Sequence, residues 1–401
     1  MYIDLTQLDE LIYIYHKEML LIKNGLIHDL VNKDPYLGEV LCDGTKIKAI
    51  GKTVEAPSDV KVLDAGGMNV YPGFIDAHSH LGLDGYGIGF EGQDYNEMND
   101  ICTPQLRTID SFNPLDPTVS QAMEAGVTCV ATGQGSSNAI GGTWIAVKTV
   151  GTCVDDMIVK DPVAMKCALG ENPKRCYKYK GNYARMTTAF HLREMILKAK
   201  DYKARKDAAN GDVTKMPAYD MKCEAMIPVL NREIPLKIHA HQANDILTAI
   251  RIAKEFDLKL TLEHVTEGHL IVDTLAKYKD EVPMAVGPTL THASKFELQN
   301  KSWTTPAVLS NAGCMVSIIT DAPVIPLQHL PLCASLAVKA GMDPYEALKA
   351  ITINPARHIG IEDRVGSLEV GKDADVIIYN GDPFDVASTC EHVVINGELV
   401  K

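Results

Sequence analysis

The chain has 401 residues, 46% of them hydrophobic, with 52 acidic against 39 basic side chains and a formal net charge of −13. That is enough apolar chain for a large domain with an appendage, and it argues against global disorder. The acidic balance argues against a nucleic-acid or anionic-membrane surface, since both reward clustered Lys and Arg. Ten cysteines are scattered with no CxxC pair, several in apolar runs such as Val127-Thr128-Cys129-Val130. They read as buried free thiols of a reducing compartment.

Residues 1–18 read as an appended helix or arm. They carry Asp4, Asp9 and Glu10 where a secretory signal would be basic. Met19 is a candidate native start, no run approaches the ~20 apolar residues of a membrane helix, and cytoplasmic residence is the expectation. From Met19 to about residue 69, short strands alternate with glycine turns: Met19–Ile27 around Asn24-Gly25, Val40-Leu41-Cys42, and Lys46–Gly51. The end of the chain has the same texture, in Ala374–Tyr379, Val393-Val394-Ile395 and the turn at Asn396-Gly397. Residues 19–69 and 359–401 are therefore expected to complete one small discontinuous β-sandwich.

Between them, over 70–358, strands and helices alternate. Apolar runs occur at 73–77, 127–131, 163–169, 235–238, 258–262, 282–286 and 315–319. Trp144–Val147 is an eighth candidate strand or a hairpin insertion. Helical patterns cover 244–256, 267–278 and 305–312, and two more helices are expected within 183–232. Asp343-Pro344 caps another. This alternation predicts a (β/α)8 barrel, with a doubly wound open sheet as its rival.

Barrel enzymes carry their chemistry at the C-terminal ends of the strands. Ligand-type side chains stand at several of those ends: His78 and His80, Glu171, His239 and His241, His264, and Asp321. Residues two apart on a strand face one way, so each His-x-His pair is able to point both rings into one mouth. Imidazole and carboxylate together are the donors of zinc and similar divalent ions. Lys174 and Arg175 follow Glu171 and are candidates for a substrate carboxylate. His292, after the 282–286 run, is a candidate substrate contact. Gly133–Asn138 lacks the phosphate-loop pattern and reads as a pocket loop.

Pro72-Gly73-Phe74-Ile75-Asp76 before His78-Ser79-His80, and Asn354-Pro355-Ala356 followed by Gly366–Asp375, resemble the metal-dependent amidohydrolase superfamily over nearly the whole length from Met19. Within it the chain looks most like the branch of imidazolonepropionase-related and Xaa-Pro dipeptidase-like enzymes. The resemblance implies a hydrolase of amide-type C–N bonds: a cyclic amide, an N-acyl amino acid or a small dipeptide. It implies two divalent ions, zinc first, with Mn, Fe or Co as alternatives, that acidify water so hydroxide is available at neutral pH. By the same resemblance His78 and His80 bind the more buried ion with Asp321, which also exchanges protons. His239 and His264 bind the second, and Glu171 bridges the two.

Two choices stay open on the residues alone. His241 competes with His239, and is expected to meet substrate instead. Lys166, as a carboxylated bridge, competes with Glu171 but lies five residues earlier, deeper in the strand. Other expectations on this fold are a mononuclear deacetylase or deaminase, or a silent binding or assembly protein. A small-molecule substrate is the expected partner, with a homo-oligomer as a family-level expectation.

Overall fold

The computed structural model describes residues 19–401; the arm expected over residues 1–18 lies outside the described residues. Among the described residues sixteen strands form two sheets. The first five are β1 (Leu20–Ile27), β2 (Tyr36–Asp43), β3 (Lys46–Gly51), β4 (Lys61–Asp64) and β5 (Asn69–Pro72). The next eight are β6 (Phe74–Ser79), β7 (Val127–Thr132), β8 (Ile140–Lys148), β9 (Ile158–Ala168), β10 (Leu236–Ala240), β11 (Leu260–His264), β12 (Met284–Val286) and β13 (Val316–Ile318). The last three are β14 (Val376–Tyr379), β15 (Cys390–Ile395) and β16 (Glu398–Leu399).

Both chain ends share one sheet, in the order β16-β15-β14-β5-β1-β2-β3 with β4 beside β1. Its core includes Ile22, Val40, Val70, Val376 and Val394. The hydrogen-bonded strands make a single sheet rather than the two of a sandwich, and β5 carries it to Pro72, past the boundary expected at residue 69.

Strands β6 to β13 line up in sequence order as a barrel wall. Seven run in one direction; β8 is antiparallel to both neighbours. The cause is connection length. A parallel crossover needs a dozen or more residues, and only residues 133–139 join β7 to β8. The candidate strand at 144–147 is thus both a wall strand and a reversed insertion, and the barrel is TIM-like rather than a regular (β/α)8. The wall closes through Asp76, whose carboxylate accepts from Thr320 N (2.9 Å) and Thr320 Oγ1 (2.6 Å). His80 N–H donates to Ala322 O across the same seam (2.7 Å).

Alternation assigns the two faces. On β10, Leu236, Ile238 and Ala240 pack into the helix-side core, which leaves Lys237 and His239 for the interior. Parallel register places Lys166 and Thr261 level with Lys237, and Glu263 level with His239. Helices Arg185–Ala209 and Met221–Leu230 fill the segment where two were expected, and Ala243–Phe256 follows β10. The run 267–278 is broken into short turns. Among the described residues no helix is long and apolar enough to cross a membrane.

Candidate metal centre

Five imidazoles converge at the C-terminal mouth of the barrel, and each is fixed from behind. His78 Nδ1 lies 2.7 Å from Glu263 Oε2, His80 Nδ1 2.7 Å from Gly133 O, and His264 Nδ1 2.8 Å from Gly287 O. His239 Nδ1 meets Ser136 Oγ and His241 Nδ1 meets Thr266 Oγ1, both at 2.7 Å. Carbonyl and carboxylate oxygens only accept, so the first three rings carry their proton on Nδ1 and turn the Nε2 lone pair inward. The Gly133–Asn138 loop takes part by anchoring two rings, His80 and His239.

Alternation alone would send His264 outward, because it is level with Ala240. Its φ of 75° turns it back into the mouth, and Asp321 sits at φ 53°. Left-handed backbone at non-glycine residues costs on the order of 1–3 kcal/mol each and clusters at functional sites. Both donors are held by it.

The inward atoms form two overlapping groups. His239, His241 and His264 offer donor atoms within 4.8 Å of one another, as do His78, His264 and Asp321. Asp321 Oδ1 is 3.3 Å from His80 Nε2 and 3.5 Å from His78 Nε2. The Nε2 atoms of His239 and His264 are buried without a hydrogen-bond partner. A buried lone pair left unpaired is costly, and a divalent cation among these donors would satisfy both. The residues therefore fit a metal.

Electrostatics keep the donors in their ligand forms. Burial, with Lys166 adding to it, holds His78 well below the usual imidazole range. Burial does the same for His239 and His241, and lowers His264 to about 4. Burial pushes the Asp321 carboxyl up, but His264, His80 and Lys166 outweigh it and hold the group below its ordinary value. Lys166, fully buried, lies 3.2 Å from His78 Nε2. Burial lowers its amine to about 7 against the pull of Glu263. Its charge acts on His78, His239, His264 and Asp321 alike, so it faces both groups.

Glu171 is not brought to this centre. It begins the helix Glu171–Cys176, where its carboxylate accepts from Glu297 N (3.2 Å), and it lines a separate cleft with Lys174 and Tyr183. Gly170, at φ 87°, turns the chain between strand and helix and directs that side chain away. Lys174 is exposed and lines only that second cleft, and His292 is exposed and lines neither. Arg175 reaches the mouth, in a cavity of about 430 Å³ shared with Tyr95, Ser137, Lys295 and Asp321. A larger hollow, about 670 Å³, opens at the N-terminal ends of β10–β12 and holds none of these imidazoles.

Several residues of the site carry no strand-end signal. Glu263 accepts from Lys237 (2.6 Å) and contacts His358 Nε2 (2.8 Å), bracing His78 from below. Its neighbour His264 and the inward register of Lys237 were the available clues. Glu297, fully buried, and Lys295 stand on the loop after β12, where no periodicity points inward.

The sequence pattern of the amidohydrolase family matches residues 191–400. An amidohydrolase from Thermotoga maritima MSB8 is 40% identical, with a TM-score of 0.91 over 95% of this chain and 99% of that one. The amidohydrolase tasK of Hapsidospora irregularis is 28% identical over 90% of this chain, which spans 40% of tasK's length. An imidazolonepropionase from Symbiobacterium thermophilum is 26% identical over 86% of this chain and 82% of its own length. The chain belongs to the amidohydrolase family. It is a hydrolase of C–N bonds.

Proposed function

We propose that the chain hydrolyses a small amide-type substrate at a pair of divalent ions, zinc being the first candidate. The observation that carries this is the pair of buried, partnerless Nε2 atoms of His239 and His264 among five anchored imidazoles. His78, His80 and Asp321 would hold one ion, and His239 and His264 the second. Such ions supply Lewis acidity toward the substrate carbonyl and lower the pKa of water.

Lys166, rather than Glu171, is our candidate for the bridge. An amine lowered to about 7 is partly neutral at physiological pH. Its nitrogen is then able to attack carbon dioxide, losing a proton and gaining a carboxylate. Asp321, ionised at the mouth, accepts a proton from the attacking water and delivers it to the leaving nitrogen. Arg175 is a cation at the mouth, beside Lys295, and is suited to a substrate carboxylate. A cyclic amide, an N-acyl amino acid and a dipeptide all remain within this chemistry.

The test is turnover of a panel of such amides before and after chelation. Activity should vanish on metal removal and return with Zn, Mn or Co. Arg175→Ala should raise KM about tenfold only for substrates bearing a carboxylate, a loss of about 1.4 kcal/mol. Turnover that persists in fully stripped protein would reject the metal pair.

A further inference from the structure

Glu297 is fully buried, and its Oε1, ion-paired with Lys295, faces the imidazoles, 3.5 Å from His239 Nε2 and 3.6 Å from His241 Nε2. Two ligands about 2.1 Å from a tetrahedral ion stand about 3.4 Å apart. The contacts of Asp321 with His80 and His78, at 3.3 and 3.5 Å, have the same spacing. We propose that Glu297 and His241 are ligands of the second ion, which is held by His239, His241, His264 and Glu297. This rests on the two-ion reading above, and it moves His241 from substrate contact to metal ligand.

The chain prepares Glu297 for that role. Its other oxygen, Oε2, accepts from Glu171 N at the start of the helix Glu171–Cys176 (2.8 Å). Gly170 leaves the space, since a Cβ there would come within 2.5 Å of Oε2. Residues 170 and 171 thus serve the centre through their backbone. Lys295 Nζ lies 2.5 Å from Oε1 and is the competing cation. An ion pair alone, however, leaves His239 Nε2 without a partner. Lys295 has an 18% exposed side chain at the cavity edge and is able to swing aside when a divalent ion enters.

The experiment is a chelator-competition titration with Co(II) on the full chain, wild type against Glu297→Gln and Lys295→Met, read by stoichiometry and visible absorption. Glutamine keeps the volume and removes the charge. Wild type should take up two ions. Glu297→Gln should bind the second at least tenfold more weakly and the first unchanged, whereas Lys295→Met should keep both. Should Glu297→Gln fail to fold, metal-soaked wild-type crystals decide: Glu297 Oε1 about 2.2 Å from the second ion supports the assignment, and more than about 3 Å overturns it. Two ions held by Glu297→Gln with wild-type affinity and spectrum would overturn it alone. Wild type that takes up no second ion would overturn the two-ion reading beneath it.

Discussion

At the seam between barrel and end sheet, Lys148 is buried 2.5 Å from Asp375 and 3.0 Å from Asp373. Lys46 and Arg364 each reach Asp373 at 2.7 Å. At the barrel mouth the same kind of side chain is equally buried, but the Nε2 atoms of His239 and His264 have no hydrogen-bond partner. The seam brings its own cations and is complete. The mouth pairs Glu297 with Lys295 and Glu263 with Lys237 but leaves two imidazole lone pairs unanswered, which a divalent cation would satisfy. Burial of charge by itself therefore does not mark a functional site; an unanswered set of donors does.

The largest effect expected from breaking the contrast is at Asp321. Asp321→Asn keeps the shape and removes the proton acceptor, and kcat should fall about 10²–10⁴-fold. A fall of less than tenfold would remove Asp321 from proton transfer. At the seam, Lys148→Met should leave metal content alone but destabilise the fold by about 3–5 kcal/mol, because it strands the buried Asp375 carboxylate and leaves Asp373 to Lys46 and Arg364 alone. Urea midpoints measure this, and a loss under about 1 kcal/mol would mean the seam is not a closed ionic unit.

The seam also has a signed pH dependence. Burial raises the Asp373 carboxyl, but Lys148 and its other partners hold it below the ordinary 3.8. Its stabilisation is therefore present above that value and drains away as pH falls through the depressed one. Acid titration of stability should show this loss in wild type and a smaller one in Lys148→Met. The last comparison sharpens the mouth: Lys166→Ala should weaken metal retention, whereas Glu171→Ala, the smallest effect of all, should leave metal content unchanged. The reverse pattern would restore Glu171 as the bridge.

The sequence shows the wall of the barrel and most of its donors because both follow short-range rules. His78, His80, His239 and Asp321 stand where apolar strands end, and strand ends are visible as composition. What was not legible depends on backbone turns and loops. Glu171 follows β9 as a ligand should, yet Gly170 at φ 87° and the helix that starts at residue 171 turn its side chain away. Lys166 looked too deep, but a lysine side chain is long enough to reach His78 from that row. The inward turn of His264 needs a φ of 75° that no pattern announces. Glu297 and Lys295 sit in a connecting loop, and the reversal of β8 follows from a connection whose length is visible only once both strands are fixed.

The most direct test is anomalous diffraction at the metal edge from crystals of the full chain grown with zinc. Two peaks are expected at the mouth, one touching His78, His80 and Asp321, the other touching His239 and His264, with no peak at the Lys148 seam. Density for fewer than about 0.1 ion per chain at the mouth, unchanged after soaking in Zn, Mn or Co, would contradict the account.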